Sequence, residues 1–399
     1  MSNTFAITRV ALRQYRSIAT ADVTLGKLLI LVGPNGSGKS NFLDSLRLVS
    51  ESLETSLDQA LRNRGGVAEV RRRSTGHPTH FSIELSFEGD SGDLSDPRDS
   101  AQYSGKYGFR VAAEKGGGFR ISSEACHIAV DGGAREFFKV LDGKLVEQSL
   151  PVMPPSSSQR LYLVSAAGLP QFLPVFDGFR GINVYNPNPD AIRLPQAPDA
   201  GEFLHRDGAN LASVLHRLDR STADKAVKNR IEEYVRLIVP GMRSVDREPL
   251  GQWETVTFSQ DVPGAKHPWR FPAQSVSDGT LRALAVLTAL FASSGHTLSP
   301  IGVEEPESAL HPAAASILMD ALRDASERRQ VLATSHSADL LDRGGFQESE
   351  LLAVRSVGGE TIVSGLDPAG AKAIRESLYT PGELLRIDQL LPDEGALGA

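Results

Sequence analysis

Two kinds of apolar spacing divide this chain. Leu28-Leu29-Ile30-Leu31-Val32 is an unbroken apolar run, the pattern of a strand buried on both faces. Asn41 to Leu57 instead carries apolar residues at Phe42, Leu43, Leu46, Leu48, Val49, Leu53 and Leu57, which is helical spacing. The same pairing returns later, with short apolar strands at Ile301-Gly302-Val303 and Val331-Leu332-Ala333-Thr334 and an apolar helix running to about Ala292. Between the two ends, His80 to Phe87, Tyr107 to Ala113 and Gly118 to Val130 alternate with period two and are separated by Gly-, Asp- and Ser-rich turns, which predicts antiparallel hairpins over about 77–150.

Pro151 to Gln159 reads as a loop, and Tyr185 to Pro198 as Pro-rich extended chain. Helices are expected at about 202–219 and 222–238, the second stopping at Pro240-Gly241. Residues 243–272 read as strands bearing Trp253, Phe258 and Trp269. Beyond residue 337 the pattern gives a short helix, strands near 350–364 and two helices to about Leu391. The expected organisation is α/β: a discontinuous core of residues 1–60 and 240–399, with a mixed sheet, and an inserted lobe over 61–239 that is β-rich at about 77–150 and helical at about 202–238.

The junction between the first strand and helix carries chemistry. Gly33-Pro34-Asn35-Gly36-Ser37-Gly38-Lys39-Ser40 reads GxxxxGKS, a phosphate-binding loop in the required strand–loop–helix setting. Successive backbone N–H groups of Asn35 to Asn41 would form an anion nest at a helix N-terminus, with glycines admitting the phosphates closely. Lys39 would reach the β- and γ-phosphates and Ser40 would bind Mg²⁺. The strand at 301–303 ends in Glu304-Glu305, suiting one carboxylate to the Mg²⁺ shell (Glu304) and the next to an attacking water (Glu305). Ser275 to Arg282 opens the apolar helix with small polar residues, a second exposed helix N-terminus. His336 follows the strand at 331–334, on the edge where open α/β sheets bind ligands.

These four elements, in this order, resemble the ATP-binding-cassette (ABC) ATPases, across most of residues 1–45 and 270–345. The wording is closest to the soluble RecF- and SMC-like branch, especially the OLD-like ATPases of bacterial defence systems: Leu12-Arg13-Gln14-Tyr15-Arg16-Ser17-Ile18, Glu304-Glu305-Pro306-Glu307 before Leu310-His311-Pro312, and Thr334-Ser335-His336-Ser337 before Leu340-Leu341-Asp342. The resemblance implies that Ser277 and Gly279 contact the γ-phosphate held by a second subunit, so that two ATP molecules lie sandwiched in a head-to-tail homodimer. It further implies that Ser308 to His311 couples the two sites, that His336 senses or orients the γ-phosphate, and that Arg16 lies near the phosphates of its own site. Three departures stand out. The signature reads Val276-Ser277-Asp278-Gly279-Thr280, with an acid whose carboxylate either points away or caps its own helix; the first Walker B acid is Glu304 in place of Asp; and no glutamine occurs between Ala60 and Phe87 to link nucleotide to the inserted lobe.

Other residues leave alternatives. Tyr15 is equally suited to stacking on adenine and to core packing. His77-Pro78-Thr79-His80 has a spacing metals use but lacks Cys or acidic company, so a loop entering a strand is the better reading. Arg62, Arg64, Arg71, Arg72 and Arg73 form a basic cluster that suits either nucleic acid or pairing with nearby acids such as Glu69, within a chain of net charge −7.

The single cysteine, Cys126, excludes an internal disulfide and fits a reducing, cytoplasmic compartment. Neither a membrane-spanning apolar stretch nor a signal-peptide pattern is present. No segment sustains heptads, which excludes the long coiled coil of SMC-type arms; 63 residues follow His336 and Asp393-Glu394 is a poor metal site, so the nuclease domain of OLD-type enzymes is not expected here. The expectation is an ATP-hydrolysing switch, closing as a homodimer around Mg-ATP and controlling a separate effector, with the resemblance pointing to anti-phage defence. The alternatives are a DNA-repair or chromosome-maintenance ATPase that clamps DNA, a non-enzymatic ATP-dependent scaffold and, least fitting, a transporter subunit.

Overall fold

A computed structural model describes residues 3–73, 79–93, 96–133, 135–292, 297–343, 345–393 and 395. The strands in chain order are β1 (Asn3–Tyr15), β2 (Ile18–Thr24), β3 (Leu28–Val32), β4 (His80–Asp93), β5 (Asp96–Ala113), β6 (Phe119–Val130), β7 (Arg135–Leu141), β8 (Lys144–Gln148), β9 (Asn183–Tyr185), β10 (Met242–Leu250), β11 (Trp253–Gln260), β12 (Trp269–Pro272), β13 (Thr297–Leu298), β14 (Ile301–Glu304), β15 (Val331–Ser335), β16 (Leu351–Val357) and β17 (Glu360–Ser364). They form three sheets. A six-stranded sheet runs β17–β16–β3–β15–β14–β9, parallel except for β17; an eight-stranded sheet runs β13–β1–β4–β5–β6–β7–β8 with β2 also on β1; and β10–β11–β12 is a small meander.

The apolar run of β3 is buried on both faces because each face meets a different core. Leu29 and Leu31 pack with Phe42, Leu43, Leu46 and Val49 of the helix Lys39–Glu54 and with the inner face of the eight-stranded sheet. Leu28, Ile30 and Val32 pack instead with the helices Asp278–Phe291 and Pro312–Ser326. The P-loop helix is therefore sandwiched between the two large sheets. Gln330 ties their bases together: its carboxamide accepts Ile7 N–H at 2.9 Å and donates to the carbonyls of Ile7 and Gly26, both at 2.8 Å.

β1 buries Phe5 and Ile7, then Val10 and Leu12; the change of parity falls at a β-bulge between Ile7 and Arg9. The hairpins expected over 77–150 form, and β7 and β8 continue them beyond the three alternating segments. The helix Leu173–Arg180 covers this sheet, with Phe179 against Phe5 (ring centroids 4.9 Å apart) and Phe87 (5.4 Å). Within the segment expected as an inserted lobe, β9 joins the parallel sheet beside β14, and Ile231 and Val235 of the helix Thr222–Ile238 pack in the same core as Asp278–Phe291.

The helix expected at 202–219 spans only Leu211–Arg217. Gly201 sits at φ 66°, and the Asn210 carboxamide accepts His205 N–H at 2.7 Å and donates to the Phe203 carbonyl at 2.8 Å, closing a turn over 201–210. Inside the Pro-rich stretch, Asn188 caps a short helix, Pro189–Arg193. Among the described residues no helix is long and apolar enough to cross a membrane.

Candidate functional site

Parallel register gathers the motifs. Glu304 pairs with Thr334 and Thr334 with Leu31, while Ser335 pairs with Val32, so β14, β15 and β3 end together. Glu305, His336 and Gly33, the residues that follow, therefore leave one edge of the sheet side by side. This is the carboxyl edge, where open α/β sheets place ligands.

Gly38 occupies φ 106°, and a Cβ there would collide with the Thr361 side chain. Thr361 holds the loop from β17: its hydroxyl donates to the Ser37 carbonyl at 2.8 Å and lies 2.7 Å from Ser17 Oγ, which accepts Asn41 Nδ2 at 2.6 Å. Ser40 and Asn35 are exposed, whereas Ser37 is buried with no hydrogen-bond partner for its Oγ. Lys39 is buried and folds back on the loop, donating to the carbonyls of Gly33 (2.7 Å) and Pro34 (3.0 Å). Burial lowers its pKa, against the opposing pull of Glu305 and Glu307. Both Ser37 and Lys39 have donors available to an anion cradled by the loop.

Glu305 adopts φ 43°, a left-handed conformation costly for a residue with a side chain, and is held there by its N–H donating to the Thr334 carbonyl (3.1 Å) and hydroxyl (3.1 Å). Its Oε1 lies 3.2 Å from His336 Nδ1, and its Oε2 accepts Ser308 Oγ at 3.3 Å. Glu304 accepts Arg206 at 2.6 Å. Glu307 is buried, with a pKa raised by that burial and partly offset by a hydrogen bond from Ser335.

Arg282, on the helix Asp278–Phe291, donates to the carbonyls of Glu304 (2.9 Å), Glu305 (3.2 Å) and Pro187 (2.6 Å), so one guanidinium fastens that helix to the end of β14. Ser277 caps the helix, its Oγ accepting Thr280 N–H at 3.3 Å. Asp278 points away to Arg193, and Gly279 packs so closely on the Ala309 carbonyl that a side chain would not fit. The signature segment and Ser308–His311 are thus in contact within one chain.

Arg16 pairs with Asp44 at 2.9 Å, one helical turn beyond Ser40. Tyr15 is fully buried and donates its hydroxyl to the same carboxylate at 2.7 Å, which places it in the core and not on an adenine face. Arg64 is buried against Asp44 and Glu51; Arg62 pairs with Asp58, Arg72 with Glu360 and Arg73 with Glu69. Arg71 forms a backbone bridge with Tyr15. His77 and Pro78 lie outside the described residues, so the His77–His80 pair is not placed, and the same holds for Glu394 beside Asp393.

A family model described as "AAA domain, putative AbiEii toxin, Type IV TA system" matches residues 28–115 and 135–342, from the first residue of β3 to the helix Ala338–Arg343. The chain belongs to this AAA family. Two solved structures share the fold of this AAA protein: an Smc head bound to the C-winged helix domain of ScpA (TM-score 0.53, 12% identity, covering 92% of this chain and 99% of that one), and an Smc head with an extended coiled coil bound to the C-terminal domain of ScpA derived from Pyrococcus furiosus (TM-score 0.50, 12% identity, 94% and 99%). The AAA chain therefore has the SMC-head ABC-ATPase fold, without coiled-coil arms among its described residues. No curated protein matches it.

Sequence reasoning did not find Thr361, Arg206, Arg282, Arg193 or the burial of Glu307. Thr361, Arg206 and Arg193 act from far along the chain and sit in no motif; Arg282 closes the segment Ser275–Arg282 and Glu307 the run Glu304-Glu305-Pro306-Glu307, and those places were the available signal.

Proposed function

We propose that this protein binds Mg-ATP at Gly33–Ser40 and hydrolyses it, with Glu305 as the base that activates water. The observation that supports this reading best is the single row formed by the P-loop, Glu305 and His336, in which Ser37 Oγ lacks a partner and Lys39 rests on loop carbonyls. The residues present fit the nucleotide: glycines at positions 33 and 38, where a Cβ would strike the Val354 carbonyl and Thr361 and displace the loop, two buried donors, and an exposed Ser40. Asn35, Gly36, Ser37, Gly38 and Asn41 would cradle the phosphates, and Lys39 would neutralise them.

Ser40 and Glu304 would hold Mg²⁺, and Arg206 must release Glu304 for this to happen. Mg²⁺, when bound, neutralises charge on the phosphates. Glu305 must turn from His336 to take a proton from water, leaving His336 free to contact the γ-phosphate. Arg16 would reach the phosphates by leaving Asp44.

Ser277 and Gly279 would complete the site of a second copy, closing a homodimer around two ATP molecules. The output we propose is control of a separate effector protein in bacterial anti-phage defence, in keeping with the toxin–antitoxin wording of the family description. The alternative, a DNA-clamping repair ATPase, is less favoured because Arg62, Arg64, Arg72 and Arg73 already have carboxylate partners.

Light scattering on Glu305→Gln with and without Mg-ATP, beside phosphate release by the wild type, tests the reading. Doubling of mass on adding Mg-ATP, with turnover in the wild type alone, is the expected result. A mass indifferent to nucleotide together with no hydrolysis overturns it.

A further inference from the structure

Glu307 takes no step in the cycle above, yet it is 7% exposed and sits among charged groups. Its Oε1 accepts Ser335 Oγ at 2.5 Å, while Oε2 is buried with no hydrogen-bond partner. Ser335 Oγ in turn accepts the Ser337 N–H at 3.0 Å. One hydroxyl can donate and accept at once, so Glu307, Ser335 and Ser337 form a continuous chain. That chain brackets His336, joining the residue before it to the residue after it.

The other hold on His336 is the 3.2 Å contact from its Nδ1 to Glu305 Oε1. Glu305 cannot be a lasting anchor if it must also turn to water. A second hold is needed that grips the backbone and survives that movement, and Glu307 supplies one. Burying a carboxylate beside Glu305 is costly, and a position that served packing alone would be filled better by an apolar side chain.

We propose that Glu307 is a positioning residue of the hydrolytic centre: acting through Ser335, it fixes the turn that carries His336, so that the imidazole keeps its place when Glu305 departs. This rests on the ATPase reading above. In this role Glu307 acts on the reaction through His336.

The test uses Glu307→Ala, Glu307→Gln, Ser335→Ala, His336→Ala and the Glu307→Ala/His336→Ala double variant. Turnover, affinity for a fluorescent ATP analogue, melting temperature and peptide-level hydrogen exchange are measured on each. Glu307→Ala is expected to lower kcat by about 10–100-fold with nucleotide Kd within about twofold, because misplacement of a reacting group acts on the transition state. Glu307→Gln keeps an oxygen for Ser335 and stays within about threefold of wild type, and Ser335→Ala, which leaves the buried carboxylate in place, follows Glu307→Ala. On the His336→Ala background, Glu307→Ala costs no more than about threefold, since the group it positions is gone.

Wild-type kcat in Glu307→Ala, a full second loss in the double variant, or a Gln variant as impaired as Ala would each overturn the proposal. A fully active His336→Ala would likewise overturn it, since the group that Glu307 positions would then be dispensable, whereas a wild type that hydrolyses no ATP makes the ATPase reading fail by itself. Hydrogen exchange over residues 331–341 then decides: faster exchange in Glu307→Ala and Ser335→Ala but not in Glu307→Gln supports the anchor, and unchanged exchange overturns it.

Discussion

Glu124 in the antiparallel sheet and Glu307 at the edge of the parallel sheet are both buried, and the molecule treats them differently. Glu124, on β6, accepts three donors: Tyr107 Oη at 3.1 Å and the N–H groups of Tyr162 (2.5 Å) and Leu163 (2.9 Å). It pins the start of the helix Tyr162–Ala166 to the sheet. Glu307 accepts one donor and leaves an oxygen bare. Ser37 Oγ is bare in the same way, and Glu305 nearby holds a backbone conformation that side chains disfavour. The antiparallel region satisfies its polar group internally, as a scaffold does. The strand ends of the parallel region keep hydrogen-bonding capacity open, which is how a site awaiting a ligand differs from a core.

Three experiments can break or sharpen this contrast. Lys39→Ala should reduce ATP turnover by about 100–1,000-fold (about 3–4 kcal/mol of transition-state stabilisation) without lowering the melting temperature, because a buried cation resting on carbonyls adds little to the fold. A lower melting temperature with turnover intact would move Lys39 to the scaffold side of the comparison.

The next effect is on stability. Burial pushes the Glu124 pKa up to about 7 from an ordinary 4.5, so the folded state holds its proton more tightly than the unfolded chain. The contribution of protonated Glu124 is complete below about pH 4.5 and is lost as pH rises through about 7. The destabilisation caused by Glu124→Leu should therefore be larger at pH 5 than at pH 8, shrinking by about 2.5 kcal/mol between them, measured by urea unfolding at each pH. A cost independent of pH would show that the three donors keep Glu124 ionised throughout.

The smallest effect is expected at Thr361→Val, which keeps the shape but removes the hydroxyl between Ser37 and Ser17. Nucleotide affinity should fall by about fivefold, the equivalent of roughly 1 kcal/mol for one hydrogen bond. Unchanged affinity in a titration would mean that β17 merely lies beside the loop.

The parts of the site that were legible are those written in consecutive residues. Gly33 to Ser40, Glu304-Glu305 and His336 could be read because a strand, a turn and a functional group lie within a few positions of one another. Their convergence also followed, since parallel strands ending together bring their next residues together. What the sequence hid is contact between distant segments: Thr361 on Ser37, Arg206 on Glu304, Arg193 on Asp278. The bulge at Ile7–Arg9 breaks period two where no Gly or Pro marks it. The turn over 201–210 looked helical because its stabiliser is a side chain, Asn210, that reaches backward along the chain. Tyr15 could not be assigned until Asp44 was seen to hold its hydroxyl.

The eight-stranded sheet has one more implication, for anyone wishing to cut this protein down. β1 is hydrogen-bonded to β2 on one side and to β4 on the other, so the hairpin arm and the first strands of the nucleotide-binding half are a single fabric. Excising β4 to β8 would leave β1 with a long row of naked N–H and C=O groups and strip the apolar cover from Phe5, Ile7, Val10 and Leu12. Such a truncation would self-associate through that edge before it could serve as a minimal domain. The arm is not detachable cargo, and chimeras made with this chain should exchange it at the hairpin tips and not at its base.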